Sequence, residues 1–200
     1  MKKLIIGLIA LLVVGGVASL LFPSVNGTGG LPFINYQDAF VQEPGEYFVY
    51  FYNTDCRFCQ ELEPSIMEAH RAGVPIFVVD VAASENDGAW YDWDAHHERY
   101  TTVVGEVVDG EENFFEDYHE DMFPAAEGWA IRVEGEELVA VNNRANFNMN
   151  PQTPEEIEVP GTPSMMRIVN GQSAGFVVGV EESRGLLAQY SGLDGALFQD

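Results

Sequence analysis

Residues 51–64 read FYNTDCRFCQELEP and hold the only two cysteines of the chain, Cys56 and Cys59. Two thiols separated by two residues can close a small disulfide ring, supply half of a zinc site, or fill space in a core. Their surroundings point towards redox use. A continuous β-branched and aromatic run, Tyr47 to Tyr52 (YFVYFY), suits a buried strand just before them. After them Leu62, Ile66, Met67 and Ala69 recur at helical spacing. A cysteine at the start of such a helix meets free N–H groups and the positive end of the helix dipole, which favour thiolate and bring cysteine pKa values to roughly 3.5–7.5. Cys56 is therefore the expected nucleophile and Cys59, one turn inward, the resolving thiol. Asp55 opposes a thiolate at Cys56 and Arg57 favours it. Zinc needs further ligands, and His96, His97 and His119 stand at no recognisable ligand spacing from the cysteines, so no metal is expected. An inert structural disulfide is the third reading, although so short a loop removes little entropy from the unfolded chain.

The elements that must position the pair follow from local pattern. Tyr36 to Gln42 fits a short helix ahead of Pro44-Gly45. The helix from Cys56 to Ala72 contains Pro64, which permits only a kinked or restarted helix, and Gly73 ends it. Pro75 to Val81 (PIFVVDV) is a second buried strand. Ser164 to Val169 and Ala174 to Val180 flank Asn170-Gly171, the strongest short-range hairpin signal. Glu181 to Tyr190 completes the chain as a helix with acidic residues in its first turn. Strand, helix, strand, a long excursion, hairpin and helix together give a mixed sheet with helices on its faces.

Phe48 to Pro64 (FVYFYNTDCRFCQELEP) resembles the strand, active-site loop and helix of the thioredoxin superfamily, and Val159 to Ser164 (VPGTPS) resembles its cis-proline segment. The resemblance covers about Tyr36 to Val81 and Ile157 to Tyr190. It implies an α/β fold, a thioredoxin-like mixed central sheet flanked by helices, with a long insertion before the cis-proline segment. It also implies a thiol–disulfide exchange site in which the bond before Pro163 is cis and Thr162 and Pro163 pack beside Cys56. The Thr162 backbone would pair with an extended substrate, and Arg57 and Phe58, between the cysteines, would support the site. The redox group would be the Cys56–Cys59 disulfide, with no separate cofactor, and the partners protein thiols or disulfides. Two departures stand out. The family often places a buried acid in the strand before the motif, where this chain has about Tyr50. Arg57-Phe58 is neither the Gly-Pro of typical reducing thioredoxins nor the Pro-His of strong oxidants, which leaves the direction of catalysis open.

The excursion from Ser84 to about Glu158 holds all three tryptophans (Trp90, Trp93, Trp129), three of the four histidines, and 20 of the 32 acids against three arginines. Trp129 to Val133 and Leu138 to Val141 read as a second hairpin across Glu134 to Glu137, and Ala89 to Tyr100 as helical. An excursion this long must bury something to stay ordered, so its aromatics are read first as core and second as a lid or partner-recognition subdomain. Glu111, Glu112, Asp117, Glu120 and Asp121 lack the spacing of an EF-hand loop and read as a solvated acidic face.

Two hundred residues, 46% apolar and 12% aromatic, suffice for one domain with a large insertion. A formal charge of -23 repels phosphate backbones and excludes nucleic acid as a partner. After Met1-Lys2-Lys3, Leu4 to Phe22 runs 19 residues without a charge, long enough for a membrane-spanning helix. The lysines would stay in the cytoplasm, placing the remainder outside it. The rival is a cleaved signal peptide ending at Gly16-Val17-Ala18, but apolar residues run on through Leu20, Leu21 and Phe22 and favour the anchor. The expected organisation is anchor or signal peptide over 1–22, flexible linker over 23–32, and a domain over 33–200 interrupted by the insertion at about 84–158. Asn26-Gly27-Thr28 in the linker is formally a glycosylation triplet.

Two functions are thus in play. The first is an extracytoplasmic, membrane-tethered thiol–disulfide oxidoreductase acting on exported proteins, with a membrane electron donor as a candidate partner. The second is a redox-silent binding module of the same fold, whose acidic, aromatic insertion recognises a protein or cationic partner.

Overall fold

The computed structural model describes residues 30–191. The anchor or signal peptide expected over 1–22, the Asn26 triplet and most of the 23–32 linker lie outside the described residues. Among the described residues no helix is long and apolar enough to cross a membrane.

The central strand is β1 (Glu46–Tyr52), which pairs in parallel with β2 (Ile76–Asp80) across helix α1 (Arg57–Arg71). On its other side it pairs antiparallel with β7 (Ser164–Val169), and β8 (Gln172–Val178) forms the edge, giving the order β2-β1-β7-β8. A strand covered on both faces must be apolar at successive positions, which explains the uninterrupted YFVYFY run. Phe48 and Tyr50 face a cluster with Leu62 and Ile66 of α1 and with Leu186 and Leu187 of α3 (Val180–Leu187). Tyr47, Val49 and Phe51 face the opposite cluster, closed by Ala39, Ile157, Phe176 and the half-buried Trp90. Both α1 and α3 therefore lie on one face, and the other is covered by short 3-10 turns and irregular chain, including Tyr36–Asp38 where a longer helix to Gln42 was expected. The β7–β8 turn places Asn170 and Gly171 at φ 52° and 76°, the left-handed pair that an Asn-Gly hairpin requires.

α1 begins at the cysteines because Cys56 caps it, and it buries Cys59, Leu62, Ile66 and Ala69 along one face. It runs as a single helix across Pro64, where the sequence led us to expect a kink or restart. Proline removes one i→i−4 bond, to the Gln60 carbonyl, and packing of the apolar face on the sheet outweighs that loss.

The insertion is a second, antiparallel sheet. After α2 (Trp93–Tyr100) come β3 (Thr101–Val108), β4 (Glu111–Phe114), β5 (Trp129–Glu134) and β6 (Glu137–Asn142), in the order β4-β3-β6-β5. The Trp129 hairpin pairs as its pattern suggests, with Glu134 opposite Glu137. The helix read over Ala89 to Tyr100 is broken: a 3-10 turn covers Ser84–Ala89 and α2 restarts at Trp93, capped by Asp92. This sheet's core is thin, with Val104, Leu138 and Ala140 fully buried under Phe114, Phe123, Trp129 and Ile131.

The insertion is bonded to the main sheet at the chain just before Pro163. Ala89 and Tyr91 bracket Val159 through Val159 N–H to Ala89 C=O (2.8 Å) and Tyr91 N–H to Val159 C=O (3.1 Å). The Trp90 indole donates to the Val81 carbonyl (2.8 Å) and the Trp93 indole to the Pro160 carbonyl (3.0 Å).

Candidate active site

Cys56 occupies the N-cap of α1, and its Sγ accepts the backbone N–H of Cys59 at 3.1 Å, one of the free donors of the first turn. The same sulfur lies 3.1 Å from the Thr162 carbonyl, to which its S–H donates across 106 residues of sequence. Cys56 is half-buried, Cys59 has no exposed surface, and neither sulfur is bridged. The accessible thiol is thus the one at the helix tip. Burial pushes the Cys59 thiol up to about 11, the hydrogen bond and charge of Cys56 adding to that, while bonds to Asn53 and Thr162 pull the other way. Cys59 therefore stays protonated at neutral pH and gives up its proton only as it reacts.

Arg57 and Phe58 are both exposed, Phe58 by 53%, and the Arg57 guanidinium lies 5.5 Å from the Phe58 ring centre. Cation–π contact of this kind holds the two side chains together at the solvent edge of the loop. The Thr162–Pro163 peptide bond is cis. Pro163 is buried and Thr162 half-buried, and their loop is fixed by Gly179 N–H to Pro163 C=O (2.9 Å) and Ser164 Oγ to Gly161 C=O (2.6 Å). All six residues singled out from sequence, Cys56, Arg57, Phe58, Cys59, Thr162 and Pro163, thus belong to one neighbourhood.

Tyr50 stands behind Cys59, where the family resemblance would place an acid. It is 2% exposed and its hydroxyl makes a long bond, 3.5 Å, to the Cys59 carbonyl. Burial first, then its proximity to Cys59, raises its phenol above the ordinary tyrosine value. It is a neutral donor here, with no carboxylate to take a proton.

A hollow of about 400 Å³ opens beside the cysteines, lined by Phe58, Glu61, Thr162, Pro163, Val178 and Glu182 among others. The far wall, Val178 to Glu182, reads in sequence only as the end of a hairpin and the start of a helix, and no spacing ties it to Cys56. Among the described residues no three His, Cys, Asp or Glu side chains converge to hold a metal ion. The three candidate histidines are placed elsewhere: His96 lies between the Tyr91 hydroxyl (2.8 Å) and the Asn142 carbonyl (2.9 Å), His97 packs on Trp93, and His119 is exposed.

Two parallel strands joined by the helix that the cysteines initiate, then an antiparallel hairpin entered through a cis-proline and closed by a helix on the same face, decide the fold. It is thioredoxin-like. No family model matches the chain, and no curated protein matches it. Among solved structures, the crystal structure of Chlamydomonas reinhardtii thioredoxin f2 is similar at 11% identity and a TM-score of 0.38, the match covering 82% of this chain and 99% of that one. The element order and strand pairing carry the fold.

Proposed function

We propose that the chain is a thiol–disulfide oxidoreductase acting on protein thiols or disulfides, with Cys56 as nucleophile and Cys59 as resolving thiol. The observation that carries this reading is the half-exposed Cys56 Sγ, held at 3.1 Å from both a helix-terminal N–H and the Thr162 carbonyl. In the reducing direction the Cys56 thiolate attacks one sulfur of a substrate disulfide. The S–S bond breaks, a Cys56 mixed disulfide forms, and the departing substrate thiolate takes up a proton. Cys59 then loses its proton and attacks Cys56 Sγ, closing the Cys56–Cys59 disulfide and releasing the second substrate thiol. Oxidation of a dithiol is the same sequence reversed. Thr162 would offer its backbone to an extended substrate, and Arg57 with Phe58 would contact it from the other side. Residues 1–22 support placing this chemistry outside the cytoplasm, tethered to a membrane, where a membrane electron donor could regenerate the dithiol.

Exchange with a disulfide-bonded protein substrate tests the reading. Cys56→Ser should lose all exchange, and Cys59→Ser should accumulate a mixed disulfide on Cys56 visible by mass spectrometry. If both variants behave like the parent while a partner is still bound, the redox-silent binding module takes its place. The reduction potential of the couple then sets direction: a low value marks a reductase and a high one an oxidant of exported chains.

A further inference from the structure

Next to the hollow beside Cys56 lies a second one, of about 630 Å³, whose lining includes Trp93, Arg144, Phe147, Met149, Pro160 and Val178. The two share Val178 and Glu182, and the chain from Pro160 to Pro163 runs along both. The outer wall belongs to the insertion, and it is held in place. The Trp93 indole bonds to Pro160 at 3.0 Å, and its ring sits edge-on to Tyr91 at 5.1 Å. Phe147 packs edge-on against Phe176 at 5.6 Å, the Asn146 N–H donates to the Tyr91 hydroxyl at 3.2 Å, and Phe176 N–H donates to Met149 C=O at 3.2 Å. Met149 nonetheless leaves 62% of its surface in solvent. An apolar surface that is ordered but uncovered marks a binding site more often than a core.

We propose that this second hollow is a substrate-specificity site, and that the preferred substrate is an extended polypeptide carrying a lysine or arginine beside its reactive cysteine and a large apolar side chain two or three residues away. The proposal rests on the exchange reading above and names the substrate class for it. The spacing follows from Pro160 lining the second hollow while Thr162 and Pro163 line the first, because an extended chain advances roughly 3.3 Å per residue. The charge follows from Glu61 on the first hollow and Glu182 at the edge shared by both, exposed carboxylates that make no ion pair among the described residues, whereas Glu181 is paired with Arg184 at 2.5 Å. A net charge of -23 adds long-range attraction for a basic segment. Arg144 lines the second hollow, so the substrate's cation belongs beside Glu61 and Glu182 and its apolar side chain against Trp93, Phe147 and Met149.

The test uses the full chain, reduced, with synthetic peptides whose single cysteine is a mixed disulfide with thionitrobenzoate. Cys56 attacks the peptide sulfur and expels coloured thionitrobenzoate, and Cys59 then frees the peptide thiol. Three peptides suffice: one with Lys beside the cysteine and Phe two residues on, one with Lys replaced by Glu, and one with Phe replaced by Ser. The Phe peptide should react about tenfold faster than the Ser peptide, and the Lys peptide about tenfold faster than the Glu peptide at low salt. Taking each ratio within one protein cancels any loss of folded material. Met149→Glu should bring the Phe/Ser ratio close to one, and Glu182→Gln should narrow the Lys/Glu ratio. Equal rates for all three peptides, or ratios that neither variant moves, would overturn this proposal and leave the exchange reading standing. No thionitrobenzoate release from any peptide would remove both.

Discussion

β1 carries five successive buried residues from Tyr47 to Phe51, whereas β3 carries two, Val104 and Gly105. Both lie in four-stranded sheets, yet the first is packed on both faces and the second shows solvent Val103, Val108 and Val133 at 38–48% exposure. Fully burying a large apolar side chain contributes about 1.5–3 kcal/mol, so most of the stabilising burial lies in the sheet that carries the cysteines. The acidic insertion is left with a different task. Its flanking residues Ala89, Trp90, Phe147 and Ile157 help to close one face of the main core, while the insertion, bonded at Val159 and Pro160 to the loop beside Cys56, also contributes a wall to the groove.

The strongest test of this contrast is chemical. If Cys59 belongs to the densely packed side, its thiol pushed up to about 11 by burial, then at pH 7 only about one in ten thousand is ionised. Iodoacetamide should then label Cys56 alone at pH 7, with Cys59 reacting only as pH climbs towards 11. The sign for stability follows. A raised thiol value favours the folded dithiol fully below the ordinary cysteine value, near 8.5, and that advantage fades as pH rises through the folded value. Comparable labelling of both cysteines at neutral pH would mean the helix tip is not packed as described.

Next comes a matched pair of truncations. Phe51→Ala removes a ring with no exposed surface, packed 5.5 Å from Phe176, and should cost about 3–5 kcal/mol in urea unfolding. Ile131→Ala, half-buried under the thin second core, should cost about 1 kcal/mol. Equal losses would show that the two sheets share one cooperative core.

The same contrast governs what the sequence made legible. Two-face burial writes itself as continuous apolar runs, so Tyr47 to Tyr52 and Pro75 to Val81 were readable, and Asn170-Gly171 fixed the hairpin between β7 and β8. Cys56, Cys59 and the proline segment could be joined through their order along the chain. The hairpin of β3 and β4 has its own signal, Asp109-Gly110 at φ 54° and 84°, but little around it reinforces that signal. Its strands are half solvated and carry Glu106, Glu111 and Glu112, with Val107 opposite Glu112, so the apolar alternation that would flag them is diluted. β3 also follows α2 with no loop between Tyr100 and Thr101 to mark a change of element. The groove was illegible for another reason: Phe58, Trp93, Phe147, Val178 and Glu182 are scattered over more than a hundred residues, and only folding brings them together.

The smallest expected effect compares two ion pairs. Glu46 of β1 pairs with Arg167 of β7 at 2.7 Å, with side chains 12% and 19% exposed, while Arg132 and Glu134 of β5 pair at 2.5 Å with 54% and 47% exposed. Burial alone would raise the Glu46 carboxyl, but bonds from the Ser191 hydroxyl and from Arg167 outweigh it and hold the group below the usual carboxylate range. A depressed value stabilises the fold above the unfolded glutamate value, near 4.3, and that stabilisation disappears as pH falls through the folded value. Glu46→Gln replaces the charged acceptor of the hydrogen bonds from Arg167 and the Ser191 hydroxyl with a neutral one. It should therefore cost about 1–2 kcal/mol near pH 7, less than truncating Phe51, and should flatten the loss of stability on acidification. Glu134→Gln, made between side chains that water already reaches, should stay within about 0.5 kcal/mol at either pH. An acid-sensitive Glu134 and an indifferent Glu46 would reverse the assignment of tight packing to the first sheet and loose packing to the second.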